Sequence, residues 1–246
     1  LSFGEALSML GKLAGVETRW SPEDEAAWTR RRTEGETLEK IADLFERTLW
    51  SPEGTDTLTY LRNRGYSDEG IKAMGLGAFP GAGKTISFLG ELGAGTPEAL
   101  NYALSGGGSR GEYKLVFPQR APDGTISAFW GRLTRPLRDG EKEADKYKPF
   151  GEATGVKRSP FGAHALRGDT AILVEGQLDA LSAGAAGIAN VVSLGKDGLI
   201  DGQLDALRKK GIKKLIVCLD GDDAGKKGTE AIVRKTLGED FSVFVA

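Results

Sequence analysis

The stretch Ile172-Leu173-Val174-Glu175-Gly176-Gln177-Leu178-Asp179 decides how this chain folds. It has a counterpart at Leu215-Ile216-Val217-Cys218-Leu219-Asp220-Gly221-Asp222-Asp223-Ala224-Gly225. Each is a short apolar run that ends abruptly in acid and glycine, and such runs read as buried strands. Parallel strands of an open α/β sheet hold ligands just past their carboxyl ends. Glu175, Asp220 and Asp222 are therefore expected at one edge of one sheet, where they repel each other unless cations sit among them. Hard oxygen ligands of this kind suit Mg²⁺ or Mn²⁺. Asp220 and Asp222 are alternate residues, so both carboxylates of an extended chain point one way. Taken alone, Asp-Gly-Asp is equally a polar turn closing a strand; Glu175 and Asp179 at a second strand end favour the metal.

Around these runs the pattern alternates. Strands are expected at Thr170–Val174, Val191–Leu194, Leu215–Leu219 and Phe241–Val245. Helices are expected between them at Leu178–Ala186, Leu199–Lys210 and Ala224–Leu237. Strand–helix alternation with short links implies a parallel sheet with right-handed crossovers. Upstream the reading is mixed. Leu1–Val16 has helical spacing, and Ser21-Pro22-Glu23-Asp24 is a helix start whose helix runs toward Leu49 with a break expected at Gly35. Ser51-Pro52-Glu53 and Ser67-Asp68-Glu69 open shorter helices. Residues 75–111 are glycine-rich, with helical pieces at Ile86–Leu92 and Pro97–Leu104 and a loop at 105–109. Two strands, Lys114–Gln119 and Thr125–Leu133, flank the turn Pro122-Asp123-Gly124, and Leu137–Lys148 reads as an exposed charged loop. The division expected is 1–167, a mixed α+β region, and 168–246, an α/β domain.

Composition narrows the chemistry. The 246 residues are 39% hydrophobic and 28% charged, as in an ordinary globular chain, and no apolar stretch approaches the roughly 20 residues that cross a bilayer. No membrane association is expected, and with no signal peptide visible the expected location is the cytoplasm. The chain starts with Leu1, so a piece of a longer protein is expected. One cysteine, Cys218, and one histidine, His164, exclude a disulfide within the chain and a cysteine-rich zinc site, so no zinc is expected. Cys218 is expected to pack in a buried strand, and His164 to sit at a surface or turn. The net charge of −2 does not announce a nucleic-acid binder, yet basic residues cluster at Arg30-Arg31-Arg32, Lys146/Lys148, Lys157-Arg158, Arg208-Lys209-Lys210 and Lys213-Lys214. A basic groove beside an acidic site fits the same total. Ala78–Thr85 nearly matches a phosphate-cradling loop with Lys84-Thr85, but no buried strand is expected before it, so a nucleotide-hydrolysing loop is not expected.

The Glu175 and Asp220/Asp222 constellation resembles the Toprim domain, a Rossmann-like fold. Glu175-Gly176-Gln177-Leu178-Asp179, Val192-Ser193-Leu194-Gly195 and Asp220-Gly221-Asp222-Asp223-Ala224-Gly225 are most similar to its primase branch. Upstream, Leu1–Leu7 with Leu13–Val16, Tyr60-Leu61-Arg62-Asn63-Arg64-Gly65-Tyr66-Ser67 with Gly75-Leu76-Gly77, Val116-Phe117-Pro118, Asp123–Arg132 and Lys146-Tyr147-Lys148-Pro149 resemble successive segments of DnaG-type primases. The likeness covers nearly the whole chain. It implies template-directed synthesis of short RNA primers from ribonucleoside triphosphates on single-stranded DNA, by a nucleotidyltransferase using two or more Mg²⁺ or Mn²⁺ ions. Glu175, Asp220 and Asp222 become the expected catalytic acids. Glu175 and Asp220 are expected direct ligands, Asp222 a ligand or its neighbour, and Asp179 an outer-sphere partner of the metal. Arg132, Lys146 and Lys148, otherwise ordinary surface cations, become expected phosphate contacts for nucleotide or template. The family's zinc-binding domain, its helicase-interacting domain and a third acidic cluster, Asp-Pro-Asp, have no counterpart in these residues; a zinc domain or replicative helicase is the expected partner in the intact protein. A Toprim nuclease using the same acids, a helicase–primase relative and a binding module without turnover remain the alternatives.

Overall fold

The computed structural model describes residues 3–93, 111–150, 159–195 and 198–246. The helix expected at 97–104, the loop at 105–109 and the pair Lys157-Arg158 lie outside the described residues. Two four-stranded sheets organise the rest. The first contains β1 (Gly77–Ala78), β2 (Leu115–Arg120), β3 (Ile126–Arg132) and β4 (Tyr147–Phe150), in that order and antiparallel throughout. The second contains β5 (Thr170–Val174), β6 (Val191–Ser193), β7 (Lys214–Val217) and β8 (Ser242–Val245). It is all parallel, in the order β6-β5-β7-β8.

The N-terminal helices are α1 (Phe3–Ala14), α2 (Pro22–Leu49), α3 (Thr55–Asn63), α4 (Asp68–Ala73) and α5 (Ala82–Glu91). The start of α2 is a full capping box: Ser21 Oγ accepts from Asp24 N at 3.1 Å while Ser21 N donates to the Asp24 carboxylate at 2.9 Å. The expected break at Gly35 does not occur; α2 runs for 28 residues. A helical glycine costs about 1 kcal/mol relative to alanine, which a well-capped helix with a buried second half absorbs. That half supplies Leu38, Ile41 and Phe45 to a core with Phe79, Leu89, Val116, Phe129 and Phe150, so α2 and α5 cover one face of the first sheet.

The opposite face carries Leu115, Phe117, Trp130 and Tyr147, which pack with Leu49, Leu61 and Ile71. This cluster also contains Leu178 and Leu181 of α6 (Gln177–Ala185), the crossover between β5 and β6. Tyr66 reinforces the join, its hydroxyl lying 2.6 Å from Ser182 Oγ. The crossovers α7 (Asp201–Lys209) and α8 (Asp223–Thr236) pack on the other face of the parallel sheet, over Ala171, Leu173, Leu215 and Val217. Burying one such aliphatic or aromatic side chain is worth roughly 1.5–3 kcal/mol. The two sheets thus share a continuous apolar seam.

Three further expectations change. The segment read as an exposed loop ends in strand β4, whose Tyr147 pairs with Arg132; alternating lysines disguised it. Strand β7 ends at Val217, so Cys218 lies beyond it and is exposed. The stretch near Lys84 does follow a strand, the two-residue β1, but α5 starts at Ala82 and leaves no open cradle. Lys84 Nζ pairs instead with Glu53, and Thr85 Oγ1 donates to Gly81 O at 3.0 Å. Among the described residues no helix is long and apolar enough to cross a membrane.

Candidate functional site

The carboxyl edge of the parallel sheet faces the Phe117–Trp130 face of the antiparallel one, and a cleft of about 390 Å³ lies between them. Glu175 follows β5 directly. Its main-chain oxygen accepts from Ser193 Oγ at 2.8 Å and from Gly195 N at 3.0 Å, so the end of β6 fixes the turn. Asp179, in the first turn of α6, accepts from Gly176 N at 3.0 Å. Asp220 lies past the end of β7, and Asp222 caps α8 by accepting from Gly225 N at 2.8 Å. Capping leaves Asp179 and Asp222 acceptor capacity to spare.

Glu175, Asp179 and Asp220 all line the cleft. Burial, then the charges of Asp220, Asp222 and Asp179, pushes the Glu175 carboxyl above its ordinary range. These acids therefore feel one another, as their spacing in sequence implies. Among the described residues, however, no three acids, histidines or thiols are drawn into a ready-made metal cage. Neither the Glu175 nor the Asp220 carboxylate has a hydrogen bond or ion pair with the described residues. An open set of hard oxygens fits an ion that keeps several waters, as Mg²⁺ does.

The opposing wall is cationic. Arg64, Arg132 and Lys146 line the cleft together with Gln119, Trp130 and Tyr147. Arg132 is only 8% exposed, yet no carboxylate partners it among the described residues. Its Nε donates to Tyr60 Oη at 2.9 Å, and its guanidinium lies 4.5 Å from the Tyr147 ring centroid. Burial pushes the Tyr147 phenol up to about 12, against the opposing pull of Arg132. Lys148 points elsewhere: it follows Tyr147 on β4, and its Nζ lies 5.3 Å from the Tyr113 ring centroid, over the other face of the sheet. Of the three expected phosphate contacts, then, the cleft gathers Arg132 and Lys146.

Other cleft residues were not singled out in the sequence. Gln203 is held by Ile200 N at 3.2 Å and by Leu194 O at 3.0 Å, and Gln119 by Ser159 O at 3.3 Å. Gln177, 5% exposed, lines the cleft with no such bond among the described residues. Arg64 could have been found, because Tyr60 and Arg64 stand four apart on one face of a helical segment. His164 lies away from the cleft; burial and then Arg120, Lys210 and Arg167 push its imidazole below its ordinary range.

Residues 172–246 match the Toprim-like family. Over 260 residues the chain is 30% identical to a DNA primase of Myxococcus xanthus, which covers all of this chain and 42% of that protein. A DNA primase of Enterococcus faecalis is 27% identical over 255 residues, covering 95% of this chain and 40% of its own length. The chain thus spans about two fifths of these curated relatives. Among solved structures, the RNA polymerase domain of Mycobacterium tuberculosis primase DnaG superposes with a TM-score of 0.70 at 25% identity, covering 88% of this chain and 76% of that one. The zinc-binding and RNA polymerase domains of Aquifex aeolicus primase give 0.69 at 25% identity, covering all of this chain and 60% of that one.

Proposed function

This chain is a relative of the DnaG-type primases, with a Toprim-like domain at its C-terminal end, and on that premise we propose that it is a primase catalytic core. The reaction is template-directed synthesis of short RNA primers from ribonucleoside triphosphates on single-stranded DNA. One observation carries the reading: a cleft lined on one side by Glu175, Asp179 and Asp220, and on the other by a buried arginine that no carboxylate partners among the described residues. The arginine is costly alone, since an unpaired buried charge is disfavoured by several kcal/mol, while the exposed acids repel one another around the half-buried Glu175. A metal-bound triphosphate and a polynucleotide phosphate would complete both.

In this reading Glu175 and Asp220 hold the ions directly, Asp222 flanks them, and Asp179 acts through the outer sphere. Two Mg²⁺ or Mn²⁺ ions, when bound, supply positive charge for the attacking 3′-hydroxyl and the departing pyrophosphate. Arg132, Arg64 and Lys146 orient phosphates by charge and by arginine's forked donors. A division near residue 167, a zinc-binding module or a helicase elsewhere in a longer protein, and a cytoplasmic location belong to the same proposal. Replacing Asp220 by alanine and assaying primer synthesis on single-stranded DNA with Mn²⁺ tests it. A loss of 100-fold or more with an unchanged melting temperature is expected. Undiminished synthesis would refute the assignment, and cutting of labelled DNA without nucleotides would point to a nuclease.

A further inference from the structure

Tyr60 is absent from the cleft wall, yet it touches the two arginines that form part of it. Its hydroxyl accepts from Arg132 Nε at 2.9 Å and from Arg64 Nη1 at 3.3 Å. Both guanidinium groups also lie over its ring, at 5.9 Å for Arg132 and 5.8 Å for Arg64. Tyr147 closes the other side of Arg132 at 4.5 Å.

What holds an arginine decides what it can still bind. A carboxylate would fix Arg132 equally well, but it would neutralise the charge and occupy the fork that a phosphate needs. A phenol oxygen takes the Nε donor and adds no charge. Among the described residues it leaves the terminal nitrogens of Arg132, with most of their donors, to an incoming anion. An aromatic face adds attraction without using a donor. The two arginines come from distant parts of the chain, Arg64 at the end of α3 and Arg132 at the end of β3. Their like charges favour separation, and the shared acceptor opposes it.

We infer that Tyr60 is a positioning residue: its phenol couples Arg64 and Arg132 into one preorganised phosphate-binding unit aimed into the cleft. The inference rests on the primase reading for the identity of its ligand, the phosphate backbone of single-stranded nucleic acid. It does not rest on any catalytic step.

The test uses Tyr60→Phe, which removes one oxygen and keeps the ring. The readouts are anisotropy of a fluorescein-labelled oligo-dT and steady-state primer synthesis. Tyr60→Phe is expected to weaken oligonucleotide binding about three- to tenfold, and to raise the template KM by a similar factor while kcat falls less than twofold. In an Arg132→Ala background the same substitution is expected to add less than a twofold effect, because the partner it aims is gone. A merely structural role would add its full effect there. Unchanged binding by Tyr60→Phe, or an equal effect in both backgrounds, overturns the inference. If the chain makes no primers but binds oligo-dT in a Tyr60-dependent way, the polymerase reading falls and this one stands.

Discussion

Gly225 packs so closely beneath Asp220 that a Cβ there would stand 1.9 Å from the Asp220 carbonyl oxygen. The clash is with backbone, so no side-chain rotation relieves it. Gly225→Ala is therefore expected to shift the Asp220-Gly221-Asp222 turn, with a stability cost of about 1–3 kcal/mol in urea unfolding. Primer synthesis should fall at least tenfold although no acid has been changed. Wild-type synthesis by this variant would show that the turn tolerates displacement.

The raised Glu175 carboxyl makes a prediction with a definite sign. In the fold it holds its proton to higher pH than in the unfolded chain, so its contribution is favourable in acid and is lost as pH rises through its folded value. Without divalent ions, Glu175→Gln is expected to melt higher than wild type at pH 7 and nearly level with it at pH 4. Added Mn²⁺ should reverse the order, since an ion that binds only the native state stabilises by about 2.7 kcal/mol at one hundred times its Kd. Scanning fluorimetry at the two pH values reads both effects. Parallel curves for the two proteins in all conditions would contradict the shared acid site.

Lys146 and Lys148 are two residues apart yet face different surroundings. Lys148→Ala is expected to change oligo-dT affinity less than twofold, while Arg132→Ala weakens it tenfold or more. Its cost should appear in stability instead, at about 0.5–1 kcal/mol for the lost contact with Tyr113. Anisotropy and urea titration separate the two readouts, and a large affinity loss at Lys148 would place template on the opposite face of β4.

Cys218 should react with a thiol reagent in the folded protein at the rate of an accessible side chain. Colourimetric titration without denaturant is expected to count one thiol within minutes. Protection until unfolding would mean that this end of β7 is covered.

The parallel sheet was legible because its strands are uninterrupted apolar runs and its helices have clear starts and stops. The acid ledge was legible for the same reason: each carboxylate sits at the end of such a run, and topology brings those ends together. The cationic wall was read only in part. Tyr60 and Arg64 are a local pair, but they meet Arg132 only through the packing of α3 on the antiparallel sheet, and Tyr147 meets it only through the pairing of β4 with β3, both long-range events. Strand β4 was hidden because Lys146 and Lys148 bracket Tyr147 and supply charge where a strand ordinarily shows hydrophobic residues. Cys218 was misplaced because the apolar run Leu215–Leu219 outlasts strand β7, which ends at Val217; the Cys218 amide still donates to Leu173 O at 2.9 Å, but its side chain is exposed.

Leu178 sits one residue before Asp179 and is rooted in the apolar seam beneath both sheets. A helix that bears an acid of the ledge is thereby fastened to the layer that bears the arginines. The gap between the two walls is then a fixed gauge, set by close-packed side chains that do not stretch. In the primase reading a growing duplex would have to thread past this gauge, because prising it wider would mean tearing open the seam itself.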